Sequence, residues 1–418
     1  MVPAVEAEAI ILSLVAMPDG VADGETVALG AAAGRILAIP VTGALDIPHW
    51  DNSAMDGYAV RHADVQQANA DQPVALTLTE TIPAGQPPTQ PVAPGQAARI
   101  LTGSMMPAGA DTVVMQERTE RQGDRVLILA APQPGQFVRH RGGFYQAGQP
   151  LMAAGTALGG PELAVLAAAQ CGQVTVFRRP RVAILSTGDE LVNPETPLKP
   201  GQIVDSNQYA LAALVQAAEA EPILLGIIPD QPQALAAAIQ SALTQADMIL
   251  SSGGVSVGDF DYVDRILADL GATLHIRSVA VKPGKPLTVA TLPAADTQRP
   301  PVLYFGLPGN PVSALVSFWR FVEPALRKQS GLGQDWSPRF VEAITQHDLK
   351  GGGGRETYLW GTLRPNLDHP SRHDFYLAGG SHSSGNLVNL AGTNALAVVP
   401  VDQETLPAGE VVRVMWVR

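Results

Sequence analysis

A glycine-rich segment, Ser251–Asp261, has the composition of a ligand-binding loop. It reads SSGGVSVGDFD, and it follows a short run, Asp247–Leu250, that is typical of a buried strand. It precedes Tyr262–Leu270, whose apolar residues fall on one face of a helix. Glycines let a backbone approach a ligand closely, and backbone N–H groups near a helix N-terminus favour anions. The segment therefore predicts an anion-binding loop between a strand and a helix.

Two carboxylates, Asp259 and Asp261, occur within this predicted anion site. A Mg²⁺ ion reconciles them with a phosphate group, because it binds carboxylate and phosphate oxygens together. The alternative is that Asp259 caps the following helix and binds nothing. The loop alone leaves both interpretations open.

Positive charge is concentrated in one short turn. The chain has five lysines, and two of them, Lys282 and Lys285, occur in the sequence KPGKP. The net charge of −12 argues against general nucleic-acid binding, which requires a basic surface. Small anionic substrates are still compatible with the composition, since positive charge is gathered locally.

The length and composition predict a multidomain protein without disulfides. A chain of 418 residues is too long for one ordinary core, and 46% apolar residues can fill several. Cys171 is the single cysteine, so an intrachain disulfide or a cysteine-rich metal site is excluded. The sequence shows no signal-peptide pattern and no apolar run of bilayer length. We therefore expect a soluble cytoplasmic protein.

Strand-like and helix-like segments alternate from Arg181 onward, which predicts a mostly parallel sheet with helices on both faces. Ligands bind such sheets at the carboxyl ends of the strands. The polar segments that follow strands, and should share this edge, are Thr187–Glu190, Asp230, Gly253–Asp259 and Gly306–Ser313. The substrate-binding candidates in these loops are Thr187, Gly188, Gly253, Gly254 and Ser256. Asn310 and Pro311 are expected to start a long helix that extends to about Lys328.

The remaining segments predict smaller domains around this sheet. Helices are expected over Val5–Met17 and Val27–Ala38, and we assign residues 1–45 and 138–177 to a helical and linker domain. We predict a β-rich domain at 46–137, the α/β domain at 178–330 and a C-terminal β domain at 331–418.

Two polar segments of the β-rich domain could contact a ligand. Asp46–Val60 contains Asp51 and Asp56 among turn-forming residues, and turn chemistry is the alternative for both carboxylates. Thr102 is a substrate-binding candidate, although an ordinary turn also explains its segment. Arg139 and Arg141 could contact a phosphate or simply lie on the surface.

Seven motifs occur in order, namely DNSAMDGYAV, RILTGSMMPAGAD, STGDEL, DSN, SSGGVSVGDFD, KPGKP and GLPGNPVSA. Together they resemble the molybdopterin molybdenumtransferase (MoeA) family, which includes the C-terminal domain of gephyrin. The resemblance covers nearly the whole chain. It implies four domains, with an α/β domain like the molybdopterin adenylyltransferase MogA, and an elongated homodimer. It also implies a Mg²⁺-dependent reaction of adenylylated molybdopterin with molybdate that releases AMP.

The resemblance also implies roles for individual residues. Asp230 and Asp259 correspond to acids that hold Mg²⁺ and phosphate, Glu190 to a further essential acid, and Asp56 to a residue offered to the partner subunit's site. The residues on the molybdate side are Lys282, Lys285, Ser313, Arg355 and Ser383. The segment Arg141–Phe144 reads RGGF where the family often has RGED, so no catalytic role is transferred to it.

The chemistry of the molybdate-side residues agrees with this assignment. Molybdate is a tetrahedral dianion, which lysines, hydroxyl groups and a helix N-terminus can bind. Ser313 would be the third residue of its helix. The alternative to molybdate binding is therefore that its hydroxyl makes a hydrogen bond at the end of the helix.

Other functions are compatible with parts of the sequence. They are a tungstate-inserting homologue, a pterin adenylyltransferase and a non-catalytic pterin-binding scaffold. The flanking β domains argue against the adenylyltransferase, and Asp259, Lys282 and Lys285 favour catalysis over a scaffold. A molybdopterin adenylyltransferase is an expected partner, since it would hand over the substrate.

Overall fold

The computed structural model describes residues 1–253, 260–296, 299–367, 369 and 371–417, with side chains described except at 260–262. Three candidates in the glycine-rich loop, Gly254, Ser256 and Asp259, therefore lie outside the described residues.

A mostly parallel sheet forms the centre of the α/β domain, as the sequence predicts. In spatial order its strands are Glu221–Ile228, Arg181–Thr187, Met248–Ser252, Val302–Leu307, Pro286–Leu292 and Thr273–Ser278. The strand Pro286–Leu292 runs antiparallel to both of its neighbours, and the strands from Glu221–Ile228 to Val302–Leu307 are parallel. The parallel strands end together, so the loops that follow them meet at one edge.

Helices cover both faces of this sheet. Successive side chains of a strand point to opposite faces. Val182 and Ile184 accordingly pack in one hydrophobic core, and Ala183 and Leu185 pack in another. The helices over the first face are Ala4–Leu14, Asn207–Ala217 and Pro311–Ser317, and those over the second are Pro232–Leu243 and Phe260–Asp269.

The helix that begins after Asn310 has the predicted start and length. Asn310 is its N-cap residue and Pro311 its first helical residue. It continues through a π-helical segment, Phe318–Val322, into the helix Glu323–Gln329.

A second sheet forms the β-rich domain. Its strands are, in spatial order, Thr112–Met115, Gly57–Val60, Gln96–Ile100, Val74–Ile82, Arg125–Ile128 and Thr119–Gln122. The short helix His62–Val65 follows one of them. Tyr58 and Val60 lie in the core of this domain, so the DNSAMDGYAV segment is anchored in the sheet by its apolar end.

The C-terminal sheet closes on itself. Its strands are, in spatial order, Glu356–Pro365, His373–Leu377, Phe340–Thr345, Val411–Trp416 and Ala395–Val399, and the last also pairs with the first. The strand Val281–Lys282 of the KPGKP turn pairs in parallel with Glu356–Pro365. The lysine turn is thereby attached to the C-terminal domain.

Short two-stranded sheets complete the strand pairing of the described residues. They are Gly24–Ala28 with Gln173–Phe177, Val41–Thr42 with Pro150–Met152, Asn52–Ser53 with Val138–Arg139, Leu191–Val192 with Ile203–Val204, and Leu349–Lys350 with Thr405–Leu406. The remaining helices are Gly160–Ala168 and the 3-10 turns Leu29–Ala31, Gln116–Arg118 and Val388–Leu390.

The predicted helix Val27–Ala38 is wrong. The strand Gly24–Ala28 occupies its start and pairs with Gln173–Phe177. A 3-10 turn follows, and Gly34 has a φ of 76° that interrupts any helix. The alanine content of the segment suggested a helix, but long-range pairing of Thr26 and Val27 decides its conformation. The domain boundaries proposed above stay predictions.

Within the residues that the structure describes, no helix is both long enough and apolar enough to cross a membrane.

Candidate functional site

A cavity of about 520 Å³ lies at the carboxyl edge of the parallel strands. We call it the edge pocket. Residues that line it include Thr187, Gly188, Glu190, Asp205, Asn207, Asp230, Gly253, Pro286, Gly309, Asn310 and Ser313. The polar segments predicted to share one edge do so, as far as they are described. A volume of this size accommodates a ligand as large as a nucleotide or a pterin.

Gly253 packs against the end of the neighbouring strand at the floor of the edge pocket. A Cβ atom at this position would lie 2.3 Å from the Thr187 carbonyl oxygen, and the φ of Gly253 is 93°. Only glycine tolerates both the contact and the conformation. This glycine therefore allows the backbone at residue 253 to lie directly against the end of the adjacent strand.

Acidic residues form one side of the edge pocket. Glu190 and Asp230 line it, and both are exposed. Asp189 holds the loops of these two residues together, because its Oδ1 atom accepts a hydrogen bond from the Asp230 backbone N–H at 3.1 Å. The predicted acids Glu190 and Asp230 are thus brought to one site from two different strands.

Mg²⁺ fits the donor set of this acidic side. It binds protein through one or two carboxylates and completes its shell with water and substrate phosphate oxygens. Glu190 and Asp230 both line this cavity. Among the described residues no three acids, histidines or cysteines are arranged to hold a metal ion. The substrate's phosphates, or Asp259 outside the described residues, would complete such a site.

The N-terminus of a helix forms the opposite side of the edge pocket. Ser313, the third residue of the helix Pro311–Ser317, lines the pocket and is only 4% exposed. The partial positive charge of the helix N-terminus favours an anion there. The C-terminal domain reaches this point as well, because the Val312 N–H donates to the Ser384 carbonyl oxygen at 3.2 Å. Ser383 is therefore carried next to the helix start.

The lysine turn lies beside the edge pocket and joins two domains. Pro286 lines the pocket directly after Lys285. Lys282 is paired with Thr357, two residues beyond Arg355, so the two strands hold Lys282 and Arg355 close in register. The described lining residues include neither lysine, and both lysines are exposed. The turn can thus present cations to an anion at the mouth of the pocket.

Gly352 shapes the surroundings of Lys282. A Cβ atom on Gly352 would lie 2.5 Å from the Cδ atom of Lys282 and 2.7 Å from the Thr357 hydroxyl oxygen. The stem of Lys282 therefore lies directly on the backbone of the KGGGGR segment. This contact requires glycine at position 352.

Asp56 and Thr102 contact each other in the β-rich domain. The Thr102 hydroxyl and backbone N–H both donate to Asp56 Oδ1 at 2.7 Å. The hydroxyl bond, followed by the backbone bond, holds the pKa of the Asp56 carboxyl below its usual value. Neither residue lines the edge pocket. Within one chain the structure therefore joins these two candidates to each other and not to the other site residues.

Two carboxylates, Asp46 and Asp51, bind Arg141 at the start of the RGGF segment. Arg141 Nε donates to Asp46 Oδ2 at 2.6 Å, and the Arg141 backbone N–H donates to Asp51 Oδ1 at 2.7 Å. This hydrogen bond from the Arg141 backbone N–H is the main reason that the pKa of the Asp51 carboxyl lies below its usual value. The partner of the Asp51 side chain is therefore a segment 90 residues further along the chain, so this carboxylate joins two distant segments.

Sequence reasoning missed Asp205 and Asn207 as members of the site. Both line the edge pocket, and they are 2% and 6% exposed. Both residues lie at the start of the helix Asn207–Ala217, where polar residues commonly act as caps. The signal that could have identified them is their place directly after the strand Ile203–Val204, near the same edge of the sheet.

Family models match most of the chain. The MoeA N-terminal region (domain I and II) matches residues 2–170, a probable molybdopterin binding domain matches 183–328, and the MoeA C-terminal region (domain IV) matches 342–417.

Curated relatives and solved structures agree with these models. A molybdopterin molybdenumtransferase of Nostoc sp. is 58% identical over 97% of this chain and 92% of its own length. One from Haemophilus influenzae is 35% identical over 92% and 91%. A crystal structure of the molybdopterin biosynthesis MoeA protein from Pyrococcus horikoshii has a TM-score of 0.83 at 31% identity and covers 100% of both chains.

The fold, the edge pocket and these matches define an enzyme of molybdenum cofactor biosynthesis. The chain belongs to the MoeA family of molybdopterin molybdenumtransferases.

Proposed function

We propose that the chain inserts molybdenum from molybdate into adenylylated molybdopterin and releases AMP. The observation that carries this proposal is the two-sided edge pocket, with Glu190 and Asp230 on one side and the helix start at Ser313 on the other. One side suits a metal-bound phosphate linkage, and the other suits a free oxyanion. A substrate that carries a phosphate linkage and reacts with an oxyanion needs both sides at once.

The acidic side is proposed to bind the phosphate linkage of the substrate. Glu190 and Asp230, with Asp259, would hold Mg²⁺ there. When bound, Mg²⁺ neutralises the phosphate oxygens and the negative charge of the leaving AMP. The hydrogen bond between Asp189 and the Asp230 backbone keeps the two acidic loops at a fixed separation. The chain's own contribution on this side is the positioning of the carboxylates.

The cationic side is proposed to bind molybdate. Lys282, Lys285 and Arg355 supply positive charge, and Ser313 and Ser383 supply hydroxyl donors. The pairing of Lys282 with Thr357 and the bond from Val312 to Ser384 hold these groups together across two domains. Molybdate bound there would stand close to the dithiolene sulfurs. Two molybdenum–sulfur bonds would form as the two thiols give their protons to one oxo group, which leaves as water.

We further propose that the enzyme works as a cytoplasmic homodimer. Asp56 and Thr102 do not line the edge pocket of their own chain. In an elongated dimer they can instead be offered to the partner subunit's pocket. A molybdopterin adenylyltransferase would supply the adenylylated substrate.

The direct test is to incubate the purified protein with adenylylated molybdopterin, molybdate and Mg²⁺. AMP is measured by chromatography, and the cofactor by its ability to activate a cofactor-free molybdoenzyme. We expect both products, and replacement of Mg²⁺ by a chelator should abolish AMP release. Parallel reactions with tungstate separate a tungstate-inserting enzyme from a molybdate-inserting one. Consumption of ATP with free molybdopterin would instead indicate an adenylyltransferase.

A further inference from the structure

Three buried oxygen atoms in the edge pocket have no hydrogen-bond partner in the part of the chain that the structure describes. They are Thr187 Oγ1, Asp205 Oδ2 and Asn207 Oδ1. Their residues line the cavity and are 5%, 2% and 6% exposed. Such atoms are rare in folded proteins, because a buried polar group without a partner lowers stability.

The other polar atoms of these side chains fix their orientation. Asp205 Oδ1 accepts the Gln208 backbone N–H at 3.2 Å, so the Oδ2 atom is the one left over. Asn207 Nδ2 donates to the Gly309 carbonyl oxygen at 2.9 Å. A carbonyl oxygen can only accept, which fixes the amide with its Oδ1 atom as the remaining acceptor. The orientation of both acceptors is therefore determined by the fold.

The backbone around these acceptors is also tied down. The Asp205 N–H donates to the Val192 carbonyl oxygen at 3.0 Å, which extends the strand pair Leu191–Val192 with Ile203–Val204. The contact between Asn207 and Gly309 joins the start of its helix to the loop before Asn310. These acceptors thus belong to a rigid wall that adjoins the helix start at Ser313.

The chemistry of the three atoms defines the group that can satisfy them. A carboxylate oxygen and an amide oxygen only accept hydrogen bonds, and the threonine hydroxyl can accept as well. A phosphate or molybdate oxygen is also an acceptor and would be repelled by the carboxylate. The complementary group must donate hydrogen bonds, and a heterocycle with an amino group next to ring nitrogens can do so.

We propose that Asp205 and Asn207, assisted by Thr187, bind the amino-bearing edge of a heterocycle of the substrate. The inference rests on the proposed function, because adenylylated molybdopterin carries two such edges. The pterin presents an amino group beside a ring N–H, and the adenine presents an amino group beside a ring nitrogen. The wall thereby sets which end of the substrate enters this part of the edge pocket.

The variant Asp205→Asn tests this subsite. An asparagine can still accept the Gln208 N–H, as asparagine also caps helices. Its amide NH₂ group then stands in place of the Oδ2 acceptor. A donor of the heterocycle would face another donor there, and the hydrogen bond would be lost. Binding of AMP and of 6-hydroxymethylpterin is measured separately by titration calorimetry, without molybdate or Mg²⁺. We expect a loss of about 10- to 100-fold for the ligand whose edge binds there.

Two further variants keep the test decisive. Thr187→Val removes one acceptor at nearly constant volume, and it should weaken the same ligand by about threefold to tenfold. Tyr209→Phe is the matched control. Tyr209 lies on the helix Asn207–Ala217, close in sequence to Asp205, and it is exposed and does not line the edge pocket. It should bind both ligands like the wild type. The melting temperature of ligand-free Asp205→Asn should not fall, because the variant relieves an unpartnered buried carboxylate oxygen.

The outcomes separate the two heterocycles and the two proposals. A loss for AMP alone assigns the subsite to adenine, and a loss for the pterin alone assigns it to the pterin. The inference would be overturned if Asp205→Asn and Thr187→Val bound both ligands as tightly as the wild type. It would also be overturned if the wild type bound neither ligand. Turnover is assayed separately. A protein that loses binding in Asp205→Asn but shows no AMP release in the wild type would contradict the proposed function and leave the subsite intact.

Discussion

The Asp56 carboxylate accepts two hydrogen bonds from Thr102, one from its hydroxyl and one from its backbone N–H, both at 2.7 Å. This pair fixes the orientation of Asp56 at the surface of the β-rich domain. The bonds stabilise the ionised form, because both partners donate. Asp56 is thus an oriented and exposed carboxylate that does not line the edge pocket of its own chain.

Mixing two inactive variants tests whether Asp56 acts in the partner subunit. Asp56→Ala and Glu190→Gln should each be inactive alone. If the site combines Asp56 of one subunit with Glu190 of the other, a mixed dimer has one site without either lesion. Random exchange of equal amounts makes about half of the dimers mixed, so activity should recover to roughly a quarter of the wild-type value, provided that the sites are independent.

Two controls accompany this mixing experiment. Labelled chains must show that subunits exchange. A mixture of Asp230→Ala with Glu190→Gln should stay inactive, because both residues line the pocket of their own chain and each pocket of a mixed dimer then carries one lesion. Background activity after confirmed exchange in the Asp56 mixture would mean that Asp56 acts in its own subunit or through the fold.

Lys285→Ala tests the oxyanion role of the lysine turn. Loss of one charged donor should raise the molybdate concentration at half-maximal rate on the order of tenfold, while the affinity for the pterin substrate changes little. Lys199→Ala is the control, since Lys199 is also exposed but lies outside the lysine turn, in the loop between the strands Leu191–Val192 and Ile203–Val204. Equal losses for molybdate and pterin would show that the turn has collapsed and that Lys285 has no specific role toward molybdate.

Gly253→Ala tests the close contact at the floor of the edge pocket. The added Cβ atom would meet the Thr187 carbonyl oxygen at 2.3 Å, so the loop must shift. We expect turnover to fall by at least about tenfold, because a small misplacement of a catalytic loop is costly. Gly85→Ala is the matched control, since Gly85 also has a positive φ, 82°, but a Cβ atom added there would meet no other atom within 4 Å. Similar turnover in the two variants would contradict the contact.

Asp247 makes the stability of the protein dependent on pH. Burial alone would raise the pKa of this carboxyl, but hydrogen bonds from Arg178 and the Arg181 backbone, and the charge of Arg299, bring it below its usual value. A lowered pKa in the folded state stabilises the protein above the unfolded pKa, and this contribution is lost as the pH falls through the folded value.

The variant Asp247→Asn measures this contribution. At pH 7 we expect a loss of about 1.5–3 kcal/mol in the free energy of unfolding, the size of a charged hydrogen bond. The difference from the wild type should shrink as the pH falls below the usual range of an aspartate. Calorimetric melting at neutral and acidic pH gives the comparison. A difference that does not change with pH would show that the carboxylate charge is not responsible.

Local patterns predicted the α/β domain and its edge well. Thr187, Asp230 and Gly253 each follow a strand, and parallel strands bring such residues to one edge whatever the details of the loops. Residues Asn310 and Pro311 predicted the helix start because both have strong positional preferences. These features depend on a few neighbouring residues, which a sequence displays directly.

Long-range contacts account for what the sequence did not predict. Val27–Ala38 looks helical until Gln173–Phe177 is known to pair with its first residues. Asp205 looks like a simple cap, because nothing nearby in the sequence shows that this residue lines a cavity together with Gly253 and Gly309. The partners of Asp247 likewise come from distant segments of the chain.

The measurement that tests the central proposal most directly is a single-turnover reaction with adenylylated molybdopterin in slight deficit. AMP and molybdenum-loaded cofactor are quantified over time, with and without molybdate, for the wild type and Glu190→Gln. We predict that the wild type forms the two products in equal amounts, with Mg²⁺ required for both, and that Glu190→Gln forms neither. Loaded cofactor that still carries its adenylyl group, or AMP release without any molybdenum insertion in the presence of molybdate, would contradict the proposed reaction.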